Sequence, residues 1–143
     1  GISQGEAKAI KNKYFAKLPG VDNLIWQIQR TSKQRGFIYN WFGRKLHTGG
    51  FQFAYKMPNH LIQGGGADVC KRAMVELGDA PMRLQVHDQL VFEVPIGDYQ
   101  EIPKWRKIME DVFPEKNGMR MKVDVEWSDR SFAAKDMCKG VPK

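Results

Sequence analysis

His87-Asp88-Gln89 groups an imidazole, a carboxylate and an amide between two short β-type runs, Leu84-Gln85-Val86 and Leu90-Val91-Phe92-Glu93-Val94. An acid at the tip of a tight turn holds its carboxylate clear of the strands, where it suits a hard cation such as Mg²⁺. Metal-assisted phosphoryl transfer uses such an acid, but with two ions about 3.5–4 Å apart and a second carboxylate between them. Asp is equally an ordinary turn residue, and a single His is more often structural or solvent-facing than catalytic. On spacing alone Asp88 is a turn residue before it is a ligand. Asp124 and Glu126 alternate on a downstream strand and read as surface charges, so they supply no second ligand motif.

The elements around this turn have a basic bias. The chain has 143 residues and a net charge of +7. Residues 1–56 carry ten Lys/Arg against two acids, and residues 57–143 carry thirteen against fourteen. A surplus confined to the first two-fifths points to a polyanion, nucleic acid first among them. A solvated charged surface is the plainer alternative. The two cysteines, Cys70 and Cys138, have no CxxC spacing, so neither zinc nor a disulfide framework is signalled. No apolar run approaches the roughly 20 residues of a membrane span, and no signal peptide is evident. A reducing, cytoplasmic setting is expected.

Ser3 and Glu6 predict a capping box opening a helix, with Ala7, Ile10, Tyr14 and Leu18 on its apolar side and Pro19-Gly20 ending it. Val21, Leu24, Ile25 and Ile28 mark a second helix that stops at Gly36, with Gln27, Arg30, Lys33 and Gln34 on its other face. FIYNWF (37–42) reads as a strand and GRKLHTGG (43–50) as a basic loop or turn. A third helix is expected over 58–77, with Val69, Cys70, Ala73 and Leu77 on one side. It contains Gly64-Gly65-Gly66, each costing about 1 kcal/mol relative to Ala. Close approach of another backbone or a ligand, or a simple helix break, would account for the triplet. A helix near Pro103 turns Trp105, Ile108, Met109 and Val112 inward. Met119, Met121, Val123, Val125 and Trp127 alternate with charges, as a strand does. The order argues for an α+β fold, an antiparallel sheet covered by helices.

LQVHDQLVFEVP (84–95) closely resembles the third polymerase motif of the family A, polymerase I-like DNA polymerases, whose usual form is QVHDE-L-x-x-E. Upstream, NHLIQGGGADVCKRAMVEL is similar to the family's N-x-x-x-QG-x-x-AD-x-x-K-x-AM helix. EAKAIKNKYFAKLPGV and RGFIYNWFGRKL resemble the segments that follow its nucleotide-binding helix, and VDVEWSDRSF resembles its closing strand. These blocks stand in family order and span nearly the whole chain. The resemblance implies a palm-type antiparallel sheet with a motif-bearing hairpin. Residues 1–50 would be the end of the fingers, a basic helical pair, and 51–143 the C-terminal part of the palm.

It also implies roles. Asp88 matches the aspartate that helps hold two catalytic Mg²⁺ ions at the primer 3′ end, and His87 the histidine that reaches the primer-terminal nucleotide. Asn59 and Gln63 match side chains on the minor-groove side of the nascent base pairs, where every pair presents the same acceptors. Arg44 and Lys45 would contact phosphates and position the duplex. Some positions depart from the pattern. Gln89 replaces the usual Glu, Gly65 and Gly66 replace a small Thr/Ala pair, and Tyr55 stands where many members carry a DNA-contacting Arg.

The family's first motif, with the other metal-binding aspartate, has no counterpart here, nor does the helix that binds the incoming triphosphate. The expectation is therefore a C-terminal fragment or subunit of a template-directed DNA polymerase, of phage or split-gene type. It would be inactive alone and completed by the rest of the polymerase, with primer–template DNA and dNTPs as its other partners. The alternative is a non-catalytic DNA-binding module derived from a polymerase. A small Mg²⁺-dependent nuclease is disfavoured for want of a second acidic motif.

Overall fold

In the computed structural model, which describes residues 1–113, 119–132 and 138–142, the backbone divides into two units, Gly1–Gly65 and Gly66–Lys143. In the first unit, Ser3 opens helix α1 (Gln4–Lys17) with the expected capping box. Ser3 Oγ accepts from the Glu6 backbone N–H at 3.3 Å, and Glu6 Oε2 accepts from the Ser3 N–H at 2.8 Å. These bonds, the Ser3 backbone N–H foremost, hold the Glu6 carboxyl below its ordinary value. The expected apolar side of α1 is not buried: Ile10 and Tyr14 are each 58% exposed. Helical spacing fixes which residues share a face, not whether anything covers it.

Pro19 then starts α2 (Pro19–Arg35), where its missing N–H costs nothing. The helix stops at Gly36, left-handed at φ 76, whose N–H donates to Ser32 O at 2.9 Å. Of the four apolar positions expected to face inward, only Ile28 is fully buried. Strands β1 (Phe37–Tyr39) and β2 (Lys45–His47) pair antiparallel, with Ile38 opposite Leu46. The strand expected over 37–42 thus ends at Tyr39, and the expected loop over 43–50 contains a strand. Asn40 is the cause. Its Oδ1 accepts from the N–H groups of Phe42 at 3.0 Å and Arg44 at 2.9 Å, diverting them into a turn. Behind this hairpin Ile28, Ile38 and Met57 form a core with Leu46 and Leu61 packed against it.

A 3₁₀ segment, Phe51–Lys56, leads into α3 (Met57–Leu77), which begins in the first unit and continues into the second. The three glycines do not break it. Gly65 is approached by a side chain, the indole of Trp41, so close contact and not a break accounts for a glycine at that position. Cys70, Ala73 and Leu77 are buried as expected, and Val69 is half-buried.

In the second unit β3 (Met82–Val86) and β4 (Gln89–Phe92) form a hairpin with an irregularity between Met82 and Leu84. The apolar residues of both strands stay partly open to solvent: Leu84 is 49% exposed and Leu90, Val91 and Phe92 are half-buried. Helix α4 (Ile102–Asp111) follows, with Trp105 stacked on Phe92 at 5.3 Å between ring centroids and Val112 buried at its end. The strand expected over 119–127 narrows to β5 (Glu126–Trp127), paired with β6 (Cys138–Lys139). Its alternation survives in burial only from Val123 onward: Val123, Val125 and Trp127 are half-buried while Lys122, Asp124 and Glu126 are exposed, but Met119 and Met121 are exposed as well. The result is an α+β arrangement in which the described strands form three two-stranded antiparallel sheets.

Candidate functional site

Val86 pairs with Gln89, so His87 and Asp88 form a two-residue turn. His87 has φ 53 and is the only described non-glycine residue with positive φ. An L-residue there carries a clash of roughly 1–2 kcal/mol, which His tolerates better than most. Such hairpin turns demand φ > 0 at a central position, and Gly usually supplies it. A strained residue persists where the surroundings hold it. Here the Gln85 side-chain amide donates to His87 O at 3.0 Å. His87, Asp88 and Gln89 are all exposed.

Asp88 has a neighbour that the sequence did not reveal. Cys70 is buried on α3, and its thiol is pushed above its ordinary value of 9.0, first by burial and then by the Asp88 carboxylate. The hairpin tip and the middle of α3 therefore lie close enough for charge to be felt between them. As a metal ligand Asp88 offers one hard oxygen donor, the kind Mg²⁺ takes. Among the described residues no group of three or more His, Cys, Asp or Glu could hold an ion. Asp88 belongs to no such group.

Asn59 and Gln63 stand one helical turn apart on α3 and are both exposed. The buried side of the same stretch carries Met57 and Leu61, so Asn59 and Gln63 share the outer face of α3. Arg44 and Lys45 belong to the β1–β2 hairpin, Arg44 closing the Asn40 turn and Lys45 beginning β2. Both are exposed, and Lys45 Nζ sits 3.9 Å from the centre of the Phe37 ring. An ammonium over a ring face is steered without losing its charge. Tyr55 is 63% exposed beside Lys56, whose Nζ lies 5.7 Å from its ring. The sequence reading missed Gln85, Trp41 and Cys70. Only the departure at Gly65 signalled any of them.

Residues 1–132 match the profile of DNA polymerase family A. DNA polymerase I of Streptococcus pneumoniae is 35% identical over 121 residues, covering 73% of this chain and 14% of that protein. DNA polymerase I of Deinococcus radiodurans is 31% identical, covering 90% of this chain and 15% of that protein. The POL domain of Pol1 from M. smegmatis, solved in complex with DNA primer-template and dNTP, superposes with a TM-score of 0.71 at 28% identity. That match covers 79% of this chain and 23% of the solved one. An α+β chain with an acid-tipped hairpin and an amide-bearing helix thus finds its likeness in template-copying enzymes. The chain belongs to DNA polymerase family A, and it spans about one-seventh of the curated relatives it matches. Among the described residues no helix is long and apolar enough to cross a membrane.

Proposed function

We propose that this chain supplies the C-terminal part of a template-directed DNA polymerase active site. Residues 1–50 would serve as the end of the fingers and 51–143 as the C-terminal part of the palm. The observation that carries this is the exposed Asp88 carboxylate on a turn held in a left-handed conformation at His87, within a family A chain. A non-catalytic DNA-binding module gives no account of an acid maintained at a strained tip.

In this reading Asp88 provides one oxygen ligand to the Mg²⁺ site, and the second aspartate and the triphosphate-binding helix come from the rest of the polymerase. Bound there, the ion would supply Lewis acidity to the primer 3′-hydroxyl and charge neutralisation to the leaving pyrophosphate. The chain's own residues orient the substrate. His87 holds the primer-terminal nucleotide, while Asn59 and Gln63 donate to the minor-groove acceptors common to all base pairs. Such contacts favour correct pair geometry without selecting a sequence. Arg44 and Lys45 hold phosphates, with the basic first segment adding attraction that salt weakens. The chemistry would take place in the cytoplasm, with the DNA.

Primer extension is the test. The purified chain should incorporate no nucleotide, and the chain combined with the portion bearing the first aspartate should. Asp88→Asn should nearly abolish extension by the assembled enzyme while leaving primer–template binding largely intact. Near-normal extension by Asp88→Asn would reduce the hairpin tip to a turn, and extension by the chain alone would remove the shared-site reading.

A further inference from the structure

Gly64, Gly65 and Gly66 put three poor helix formers into one turn of α3, directly after Gln63. Glycine has the most conformational freedom to lose, so this turn is where α3 opens most easily. Yet the helix runs unbroken from Met57 to Leu77. The β1–β2 hairpin lies on that turn. A methyl group added at Gly65 would overlap Cζ2, Cη2 and Cε2 of the Trp41 indole, and one added at Gly64 would come within 3.6 Å of Leu46 Cδ2. Gly65 is buried, while Trp41 keeps 43% of its surface exposed. The indole covers the Gly65 backbone where a side chain would otherwise stand. Beside Gly66 the space is open.

Met57, Leu61, Gly64 and Gly65 follow the i, i+4, i+7, i+8 spacing of one helix face, and that face meets the hairpin. At about 100° per residue, Asn59 and Gln63 fall on the opposite side. The glycines have no side chains with which to brace their own turn, so packing there has to come from the hairpin. We propose that Trp41 is a positioning residue for Gln63: by lying on Gly65 it keeps the turn after Gln63 helical and so fixes the direction of the Gln63 amide. The role rests on the assignment of Gln63 as a primer–template contact. It goes beyond that assignment in giving Trp41 and Gly65 a joint, size-matched part in discriminating paired from mispaired primer ends.

The test uses the assembled enzyme and single-turnover extension from matched and mismatched primer ends. Gln63→Ala and Trp41→Ala should each lower the matched-to-mismatched ratio about tenfold, the effect of one lost hydrogen bond at the upper end of its range. The double variant should lose no more than Gln63→Ala, because Trp41 acts through Gln63. Gly65→Thr should lose the ratio too, and Trp41→Leu added to it should restore most of it by making room. In the chain itself, Trp41→Ala should speed hydrogen exchange at Ala67 and Asp68, whose N–H groups face the carbonyls of Gln63 and Gly64 in an α-helix. If Trp41→Ala lowers only the melting temperature, or the double variant shows additive losses, Trp41 is merely structural and the proposal falls with the Gln63 assignment intact. If Gln63→Ala leaves the ratio unchanged, the assignment and the proposal fall together. Should Trp41→Ala not fold, the Trp41→Leu/Gly65→Thr pair decides, recovery supporting the proposal and its absence overturning it.

Discussion

The Gln85 side-chain amide donates 3.0 Å to the main-chain carbonyl of His87, across the base of the β3–β4 turn. That carbonyl belongs to the peptide joining His87 to Asp88, so Gln85 restrains the direction in which Asp88 leaves the hairpin. Gln85→Ala removes one exposed hydrogen bond, worth about 0.5–1.5 kcal/mol. The expected outcome is a small fall in melting temperature with extension by the assembled enzyme reduced about tenfold. Primer–template affinity should stay near its original value. An equal loss of affinity and rate would show that Gln85 touches DNA instead of the turn.

His87 separates conformation from chemistry. Gly adopts φ 53 without the clash that burdens an L-residue by roughly 1–2 kcal/mol, though it brings an entropic penalty of about 0.5–1 kcal/mol. His87→Gly should therefore melt close to the original chain, whereas His87→Val should melt lower, since a β-branched residue is a true outlier there. Both lose the imidazole and should extend primers more slowly in the assembled enzyme. Thermal melts alongside single-turnover rates give both quantities. Equal stability of the two variants would mean the turn is not left-handed in solution.

Local chemistry was legible in the sequence wherever neighbours in the chain decide the outcome. Ser3 and Glu6 cap α1, Gly36 stops α2, and His87-Asp88 turn the hairpin, because each depends on residues within a few positions. The three residues of β2 are too few to show a period, and the side-chain bonds of Asn40 override the aromatic β-preference of Trp41 and Phe42. Alternation over 119–127 foretold which residues face inward from Val123 onward, but pairing needs a partner strand, and β6 supplies one only at Glu126 and Trp127. Asp88, Gln63 and Asn59 are singled out by the resemblance to the family's motifs, since spacing alone makes Asp88 only a turn residue. Trp41 on Gly65 is a contact between residues far apart in sequence, and no local pattern encodes it.

Helix α1 stands on its cap more than on packing, since none of its 14 residues is buried. Free helices shorter than about 12–15 residues are marginal in water. Ser3→Ala should therefore raise amide exchange across α1 without altering β1–β2, at a cost of about 0.5–2 kcal/mol to the helix. Residue-resolved hydrogen exchange checks it. Unchanged protection in α1 would mean that packing, not the cap, holds the helix.

Glu110 carries an acid-sensitive tether. Its Oε1 accepts from the Val123 backbone N–H at 3.1 Å and from Arg106 Nε at 3.0 Å. The Val123 bond foremost, then Arg106, holds the carboxyl below its ordinary value of 4.5. A group whose folded value is depressed stabilises the fold above its unfolded value and loses that contribution as pH falls through the folded one. Protection of the Val123 amide should accordingly be steady above pH 4.5 and decline below it. Glu110→Gln keeps an acceptor oxygen but cannot titrate, so the acid-induced loss at Val123 should disappear. An unchanged decline in that variant would assign the effect to another carboxylate.

Cys70 reports on Asp88 without any need for turnover. The thiolate is the species that alkylates, and burial together with the Asp88 carboxylate pushes the Cys70 thiol above 9.0. Cys70 should react slowly with iodoacetamide at mildly alkaline pH, well behind the exposed Cys138. Asp88→Asn removes the neighbouring charge but not the burial, which is the larger cause. The Cys70 rate should thus rise only partway, with its pH dependence moved to lower pH. A cation seated at Asp88 offsets the same charge, so in the assembled enzyme Mg²⁺ should speed Cys70 alkylation and leave Asp88→Asn unaffected. Peptide mapping by mass spectrometry separates the two cysteines. If Asp88→Asn leaves the Cys70 rate unchanged across the pH series, the carboxylate does not face α3, and the hairpin tip is aimed elsewhere in solution.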